Sequence, residues 1–133
     1  MASRSLDDLL PGTRKKWLAV KAALSNLPIF EVCTYRSQEE QDGLWAKGRT
    51  VPGPKVTWTK HSTHTLRRAI DFALKAPNPF DLKADIDLDS IPDFTEVGRM
   101  AEKFGLQWGI VNAKGEHVDL GHVQDNEVYR QEG

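Results

Sequence analysis

Residues 69–74 restrict the fold more than any other segment, because two kinds of side chain alternate along them. In an extended strand, successive side chains point to opposite faces of the sheet. The two faces would carry Ile70, Phe72 and Leu74 on one side and Ala69, Asp71 and Ala73 on the other. Such a strand needs a hydrophobic core against the face that carries Ile70, Phe72 and Leu74. On the opposite face, the two small alanines leave room around the carboxylate of Asp71.

Helical and extended patterns are mixed along the rest of the sequence. Two capping boxes, Ser37 with Glu40 and Asp93 with Glu96, predict helix starts. We predict a short turn capped by Ser5 and three helices, over 13–26, from Ser37 to near Gly48, and over 93–104. Strands are predicted over 29–35, 69–74, 106–111 and 117–124. The fold class predicted from this order is α+β, with a small antiparallel sheet flanked by helices.

Composition sets limits on the class of protein. The 133 residues carry a net charge of -1, and no basic stripe is present, so neither nucleic acid nor a membrane is an expected partner. We expect residues 1–133 to form one domain and a monomer. The first residues lack the apolar stretch of a signal peptide, so we expect synthesis in a cytoplasm. The single cysteine, Cys33, follows apolar residues and is expected in the core.

The four histidines fall into two short segments, each with an acid nearby. His61 and His64 precede Asp71, and Asp119 lies between His117 and His122. Imidazole and carboxylate groups are common zinc ligands. Asp119 and His122 are three residues apart, so a bend near Gly121 would be needed to bring both to one ion. The spacing is equally compatible with surface histidines and solvated acids.

Four blocks of sequence, in order, resemble the VanY-like murein peptidases, a family that includes D-Ala-D-Ala carboxypeptidases and phage endolysins that cut L-Ala–D-Glu bonds. The family patterns are Y-R-S-x-x-E-Q-x-x-L, S-x-H-x-x-G-x-A-x-D, G-L-x-W-G and D-x-x-H. The matching blocks are Tyr35 to Leu44, Ser62 to Asp71, Gly105 to Gly109 and Asp119 to His122. The resemblance implies a Hedgehog/D-Ala-D-Ala-peptidase-like zinc fold and a zinc peptidase that acts on bacterial peptidoglycan stem peptides.

The resemblance also implies roles for particular residues. It makes His64, Asp71 and His122 the ligands of one zinc ion, with Asp119 as the catalytic base. It makes Arg36 a second catalytic group, which would bind a substrate oxygen or stabilise the oxyanion. Further substrate contacts are expected from Arg36, Gln41, Ser62 and Trp108.

One residue departs from the family pattern. Arg67 stands where the S-x-H-x-x-G-x-A-x-D signature has glycine. A positive φ at this position would strain an arginine, so we expect the loop to follow a slightly different path.

Several alternatives stay open at this level. The enzyme could be an endopeptidase that cuts L-Ala–D-Glu or a carboxypeptidase that removes a terminal D-amino acid, since Arg36, Arg67 or Arg68 could face a free carboxylate. A non-catalytic, zinc-stabilised binding module of the Hedgehog type is the rival from another class, although the presence of Asp119 argues against it. Arg36 could also simply pair with Glu40 or Asp42.

Other residues are expected to be structural. Trp17 and Trp45 lie on helical stripes and are expected in the core, whereas Trp58 could line a cleft. Carboxylates in residues 85–96 have the spacing of a calcium loop, but Ser90 replaces the required glycine and Pro92 interrupts the run, so calcium is not expected.

Overall fold

A computed structural model describes residues 3–55, 62–75, 83, 85, 90–111, 114 and 117–126, with the backbone alone at 110–111 and 117–119. After a single helical turn at Leu6–Asp8, the helices are α1 (Pro11–Ala23), α2 (Gln38–Ala46) and α3 (Asp93–Lys103). The strands are β1 (Ile29–Cys33), β2 (Ala69–Leu74), β3 (Gln107–Val111) and β4 (His117–Gln124). Among these residues no helix is long and apolar enough to cross a bilayer.

The four strands form one antiparallel sheet in the order β1-β2-β4-β3. The second and fourth strands therefore lie at its centre, and both carry residues from the predicted site. This arrangement confirms the predicted α+β class with a small antiparallel sheet and flanking helices.

The hydrophobic core lies on the side of β2 that carries large apolar side chains, as the alternation in residues 69–74 predicted. The ring of Phe72 packs between Trp17 of α1 and Phe94 of α3, with centroid distances of 5.6 and 5.2 Å. All three rings are almost completely buried. Burying such rings supplies much of the stability of a domain of this size.

Several helix boundaries differ from those predicted. The first helix begins at Pro11, two residues before the expected start, because proline lacks an N–H and fits the first helical position without loss. Asp93 is the first residue of α3 rather than its cap, and Pro92 occupies the cap position without a side-chain bond. The capping box of Ser37 and Glu40 is confirmed, with both reciprocal bonds present.

Two aromatic residues are less buried than expected. Phe104, the last residue of the helix predicted over 93–104, follows the last turn of α3 and is 40% exposed, so the buried side of this helix ends at Ala101. Trp45 is only partly buried, and the guanidinium of Arg49 lies 3.4 Å from its ring centroid. Trp17, by contrast, is fully buried and its indole donates to Glu31, which confirms its place in the core.

A glycine lets α3 approach β3 closely. A Cβ added at Gly98 would lie 2.0 Å from Cδ2 of Trp108, well inside van der Waals contact. The indole of Trp108 in turn donates to the backbone carbonyl of Leu120 at 2.9 Å. The position of α3 is therefore coupled through one tryptophan to the middle of β4.

We expect Gly98→Ala to destabilise the fold by about 1–3 kcal/mol, because the added methyl group overpacks the contact with Trp108. In an open helix the same change stabilises by up to about 1 kcal/mol. Gly43→Ala in α2 is the matched control, since beyond the backbone of its own helix no atom of the described residues lies within 4 Å of the position that its added methyl group would take. Urea unfolding of the two variants should give opposite signs, and equal stability of Gly98→Ala and wild type would contradict the proposed packing.

Candidate functional site

Strand pairing places three of the polar side chains at one level of the sheet. Asp71 on β2 is paired with His122 on β4, and Cys33 at the end of β1 is paired with Asp71 on its other side. The register between β1 and β2 shifts between Glu31 and Cys33, which brings the thiol to this level. The sheet alone therefore brings together two predicted ligands and a cysteine.

His64 reaches the same place from the turn that precedes β2. The turn is held from two sides: the backbone N–H of His64 donates to Oγ of Ser62 at 3.1 Å, and its carbonyl accepts from the backbone N–H of Arg36 at 3.3 Å. The ring is 3% exposed, and that of His122 is 4% exposed. The two ring centroids are 5.2 Å apart.

The Asp71 carboxylate lies between the two imidazoles. Its Oδ1 is 2.9 Å from Nδ1 of His122, and its Oδ2 is 3.1 Å from Nε2 of His64. Burial alone would raise the pKa of this carboxyl, but the contacts with His122 and His64 outweigh burial and bring the pKa below its usual range. Asp71 is therefore ionised at neutral pH, as a metal ligand must be.

The donor set fits a small divalent cation. Nε2 of His64 is buried and has no hydrogen-bond partner, although it lies beside Asp71. An orphaned buried nitrogen is costly unless something else occupies its lone pair. Two imidazoles and a carboxylate are a ligand set that zinc takes in catalytic sites, where a further position stays open to water.

Cys33 belongs to this cluster, and sequence reasoning did not place it there. Its Sγ is 3.6 Å from Nδ1 of His64, and single ligand atoms of Cys33, His64 and Asp71 all lie within 4.8 Å of one another. The expected burial of Cys33 is confirmed. Burial raises the pKa of the thiol, an effect that the charge of Arg36 partly offsets. Only the pairing of β1 with β2 reveals its proximity to the site.

Gln124 is a second contact that sequence reasoning missed. Its Oε1 lies 2.9 Å from Nε2 of His122, two residues earlier on the same strand. The alternation of side chains along a strand puts residues i and i+2 on one face, and this was the signal that could have identified it.

The segment that carries Asp119 is irregular, as the predicted bend near Gly121 requires. Trp108 and Ile110 on β3 pair with Val123 and Val118 on β4, so the register shifts within 119–122. His122 nevertheless faces Asp71 across the sheet. The side chain of Asp119 lies outside the described residues, and its role as a base stays a prediction.

Arg36 lies at the edge of the same cluster. One guanidinium nitrogen donates to Oε1 of Gln41 at 2.8 Å, and the other lies 3.9 Å from Sγ of Cys33. Within the described part of the chain, its side chain forms no ion pair with Glu40 or Asp42. The structure thus disagrees with the surface ion-pair alternative.

In the structure, the other residues expected to contact substrate form hydrogen bonds within the protein. Gln41 has no exposed surface and orients Arg36, so we expect any effect on substrate to act through that arginine. Ser62 holds the turn that presents His64. Trp108 is partly buried between Gly98 and β4, and its substrate contact stays a prediction.

Arg67 has a left-handed backbone conformation, with φ of 61°. The strain considered from the sequence is therefore present in this turn, and the expected change in loop path stays a prediction. The guanidinium lies 3.9 Å from the ring centroid of Tyr35 and donates to the backbone carbonyl of Asp8 at 3.2 Å. These contacts offset the strain that a non-glycine residue suffers at positive φ.

Some predicted features lie outside the described residues. His61 and Trp58 are among them, as is the side chain of His117. In the acidic stretch, Asp85 accepts a hydrogen bond from the backbone N–H of Ser90 at 2.9 Å, and the intervening residues 86–89 are not described.

The sequence is similar to that of a characterised bacterial enzyme. It is 37% identical over 109 residues to the peptidoglycan L-alanyl-D-glutamate endopeptidase CwlK of Bacillus subtilis (strain 168). The match includes 77% of this chain and 65% of the relative, so the chain spans just under two thirds of that protein. No family model matches the sequence.

The fold is similar to those of three solved structures. The L-Ala D-Glu endopeptidase ChiX of Serratia marcescens has a TM-score of 0.63 at 15% identity, with 95% of this chain and 89% of ChiX covered. The D,D-dipeptidase VanXYg has a TM-score of 0.63 at 23% identity, covering 88% of this chain and 50% of that one. The LD-carboxypeptidase LdcB has a TM-score of 0.60 at 20% identity, with coverage of 88% and 58%.

Proposed function

We propose that this chain belongs to the VanY-like murein peptidase family and is a zinc-dependent hydrolase of the peptide part of peptidoglycan, which its similarity to the CwlK endopeptidase supports. The convergence of His64, Asp71 and His122 carries this proposal. The substrate would be an amide bond of the murein stem peptide. L-Ala–D-Glu cleavage is the first candidate, because the CwlK relative is named for that bond. Removal of a terminal D-amino acid is the second.

Three side chains would hold the metal and leave one position open. His64 and His122 would each supply one ring nitrogen and Asp71 one carboxylate oxygen. Zinc bound there would supply Lewis acidity, which would lower the pKa of a bound water to about 7 and polarise the scissile carbonyl. The low exposure of both imidazoles keeps competing water from these nitrogens.

The remaining chemistry falls to two charged residues. Asp119 would accept the proton of the attacking water and pass it to the leaving amine. Arg36, fixed by Gln41, would place a permanent positive charge where the carbonyl oxygen gains negative charge. A guanidinium that is already oriented needs no reorganisation during the reaction, which makes its stabilisation effective.

We expect about one zinc ion per chain, and release of soluble peptide from purified cell wall only by the zinc-loaded protein. Mass spectrometry of the products distinguishes the two reactions. Cleavage of L-Ala–D-Glu exposes a D-Glu amino terminus, whereas a carboxypeptidase releases a free amino acid. Asp71→Ala should lose zinc and activity, and Asp42→Ala on the exposed face of α2 is the control.

Two outcomes would reject this function. Full cleavage after verified removal of zinc would exclude the metal mechanism. Zinc binding without release of any fragment would favour the non-catalytic alternative of the Hedgehog type, which the peptidase relatives do not favour.

We expect Asp119→Ala to keep zinc but to lose about 10²–10⁴-fold in kcat, the usual contribution of a positioned general base. Asp7→Ala is a suitable control, because that carboxylate is 92% exposed on the N-terminal turn. Metal content and kcat should be measured on the same preparation. Wild-type turnover by Asp119→Ala would remove this residue from the mechanism.

We expect Arg36→Ala to lower kcat by about 10²–10³-fold, the range found when a group that stabilises an oxyanion is removed. Zinc content should not change, since Arg36 is not proposed as a ligand. Arg49→Ala, which removes a guanidinium from the surface of Trp45, is the matched control. If Arg36→Ala instead loses its zinc or its fold, the arginine has a structural role.

A further inference from the structure

Cys33 adds a sulfur donor to the residues gathered around Asp71. Its side chain is buried, and its Sγ lies 3.6 Å from a ring nitrogen of His64. One ligand atom each of Cys33, His64 and Asp71 can be chosen so that all three lie within 4.8 Å of one another. The sulfur comes from the end of β1 and the carboxylate from β2, so strand pairing holds these two donors at one level of the sheet.

The spacing of the three donors suits a single bound cation. In a tetrahedral site, bonds of about 2.3 Å to sulfur and about 2.0–2.1 Å to nitrogen place two ligands about 3.5 Å apart. The distance of 3.6 Å between Sγ of Cys33 and the imidazole of His64 already has this size. The wider spacing in the set, up to 4.8 Å, closes with side-chain movement on the order of 1 Å.

A second observation, independent of the thiol, points to a cation at the same place. Nε2 of His64 is buried and has no hydrogen-bond partner among the residues that the structure describes, and it lies 3.1 Å from Oδ2 of Asp71. Such a nitrogen is costly unless something occupies its lone pair. The side chain of Asp71 is 31% exposed, so a cation can reach the donors from solvent past this carboxylate while the thiol stays buried.

A sulfur ligand changes the class of cation that the donors favour. Thiolate is soft and favours soft cations such as Cu⁺ and Cd²⁺, whereas carboxylate suits hard ones. A bound cation deprotonates a coordinating thiol outright, and the proton passes to solvent. Neither the metal nor the sulfur changes oxidation state, so binding requires no oxidant or reductant.

We propose that Cys33, His64 and Asp71 form a binding site for a thiophilic cation, with the cysteine sulfur as a ligand, and that this site overlaps the zinc site. Binding of such a cation does not depend on peptidase activity. The prediction that follows for catalysis, by contrast, rests on the proposed function.

The overlap gives a thiophilic cation a way to inactivate the protein. Nδ1 of His122 lies 2.9 Å from Oδ1 of Asp71, so a cation held by the three donors also has the second imidazole near it. Four protein ligands complete a tetrahedral site and leave no position for a water, as in structural rather than catalytic zinc sites. A thiophilic cation that displaces zinc would therefore hold the protein in a closed, inactive form.

The direct test is addition of Cd²⁺ to the metal-free protein, followed by the ultraviolet charge-transfer band of a cadmium–thiolate bond. Because the chain has one cysteine, any such band reports Cys33. We expect the band to saturate at about one Cd²⁺ per chain. Asp71→Asn should require more Cd²⁺ to produce it. Binding of Cd²⁺ by the wild type without this band, or an unchanged band in Asp71→Asn, would overturn the proposal.

A comparison of two cations gives the second readout. Cys33→Ser replaces sulfur with oxygen and should weaken Cd²⁺ binding by at least about 10–100-fold, the loss that even an outer partner of a metal ligand produces. Its zinc affinity, measured by the same chelator competition, should fall by a smaller factor. Asp42→Ala, on the exposed face of α2, controls for Cd²⁺ held by surface carboxylates and should not change either affinity. Wild-type Cd²⁺ affinity in a folded Cys33→Ser would overturn the proposal.

If Cys33→Ser does not fold, ¹¹³Cd NMR of the wild-type protein decides without a variant. A chemical shift in the range of sulfur-ligated cadmium supports the site, and a shift typical of nitrogen and oxygen ligands alone would overturn it.

Cleavage of cell wall separates this inference from the proposed function. Cd²⁺ should inhibit the zinc-loaded wild type, and Cys33→Ser should need a higher Cd²⁺ concentration for half inhibition, by the same factor as its loss of Cd²⁺ affinity. Full cleavage by protein with a saturated cadmium–thiolate band would overturn the closed, inactive form. Absence of cleavage by the zinc-loaded protein would reject the proposed function, whereas the cadmium band would still test the binding site.

Discussion

The pairing of Asp71 with His122 across the two central strands is the contact on which the site depends. Neighbouring residues on these strands belong to the core: Phe72 and Val123 are buried on the opposite face. A shift of register by one residue would turn His122 into the core and expose Val123. The hydrophobic core therefore fixes the register, and the register fixes the distance between two of the three candidate ligands.

The third candidate ligand depends on a turn whose geometry is secured by neighbouring segments. Ser62 and the backbone of Arg36 hold His64, and β1 brings Cys33 against the other side of its ring. Each of these contacts joins residues that are close in space but belong to different elements. Together these contacts hold Nε2 of His64, a buried nitrogen without a hydrogen-bond partner, beside the carboxylate of Asp71.

Local patterns in the sequence were sufficient for most of the architecture. The alternation around Asp71, the capping box of Ser37 and the amphipathic stripe through Trp17 all express forces that act within one element, and the structure bears them out. Helix starts were predicted less accurately, because Pro11 is the first residue of α1 and Pro92 occupies the cap position of α3. The core position expected for Trp45 failed because a nearby arginine covers the ring instead of the core.

The sequence predicted only those residues of the candidate site that lie in the family motifs. His64, Asp71 and His122 were identified from blocks that resemble a family, and the geometry brings those three side chains together. Cys33 was missed because its proximity arises from the pairing of β1 with β2 and the register shift between them, which no single segment encodes. Gln124 lies two residues after His122 on the same strand, so the alternation along that strand could have identified it. Long-range register is the information that a local reading of the sequence does not contain.

Arg67 departs from the S-x-H-x-x-G-x-A-x-D pattern, yet the three candidate metal ligands still lie together. A left-handed conformation costs an L-residue about 1–2 kcal/mol relative to glycine, and the turn keeps it all the same. Stacking of the guanidinium on Tyr35, with contacts to Asp8, offers stabilisation of similar size. The backbone carbonyl of Arg67 also accepts from Leu10, just before α1. The N-terminal segment and the turn that presents His64 are thus joined through Arg67. Its side chain contacts Tyr35 and Asp8, whereas its backbone carbonyl would accept the bond from Leu10 with any side chain at this position.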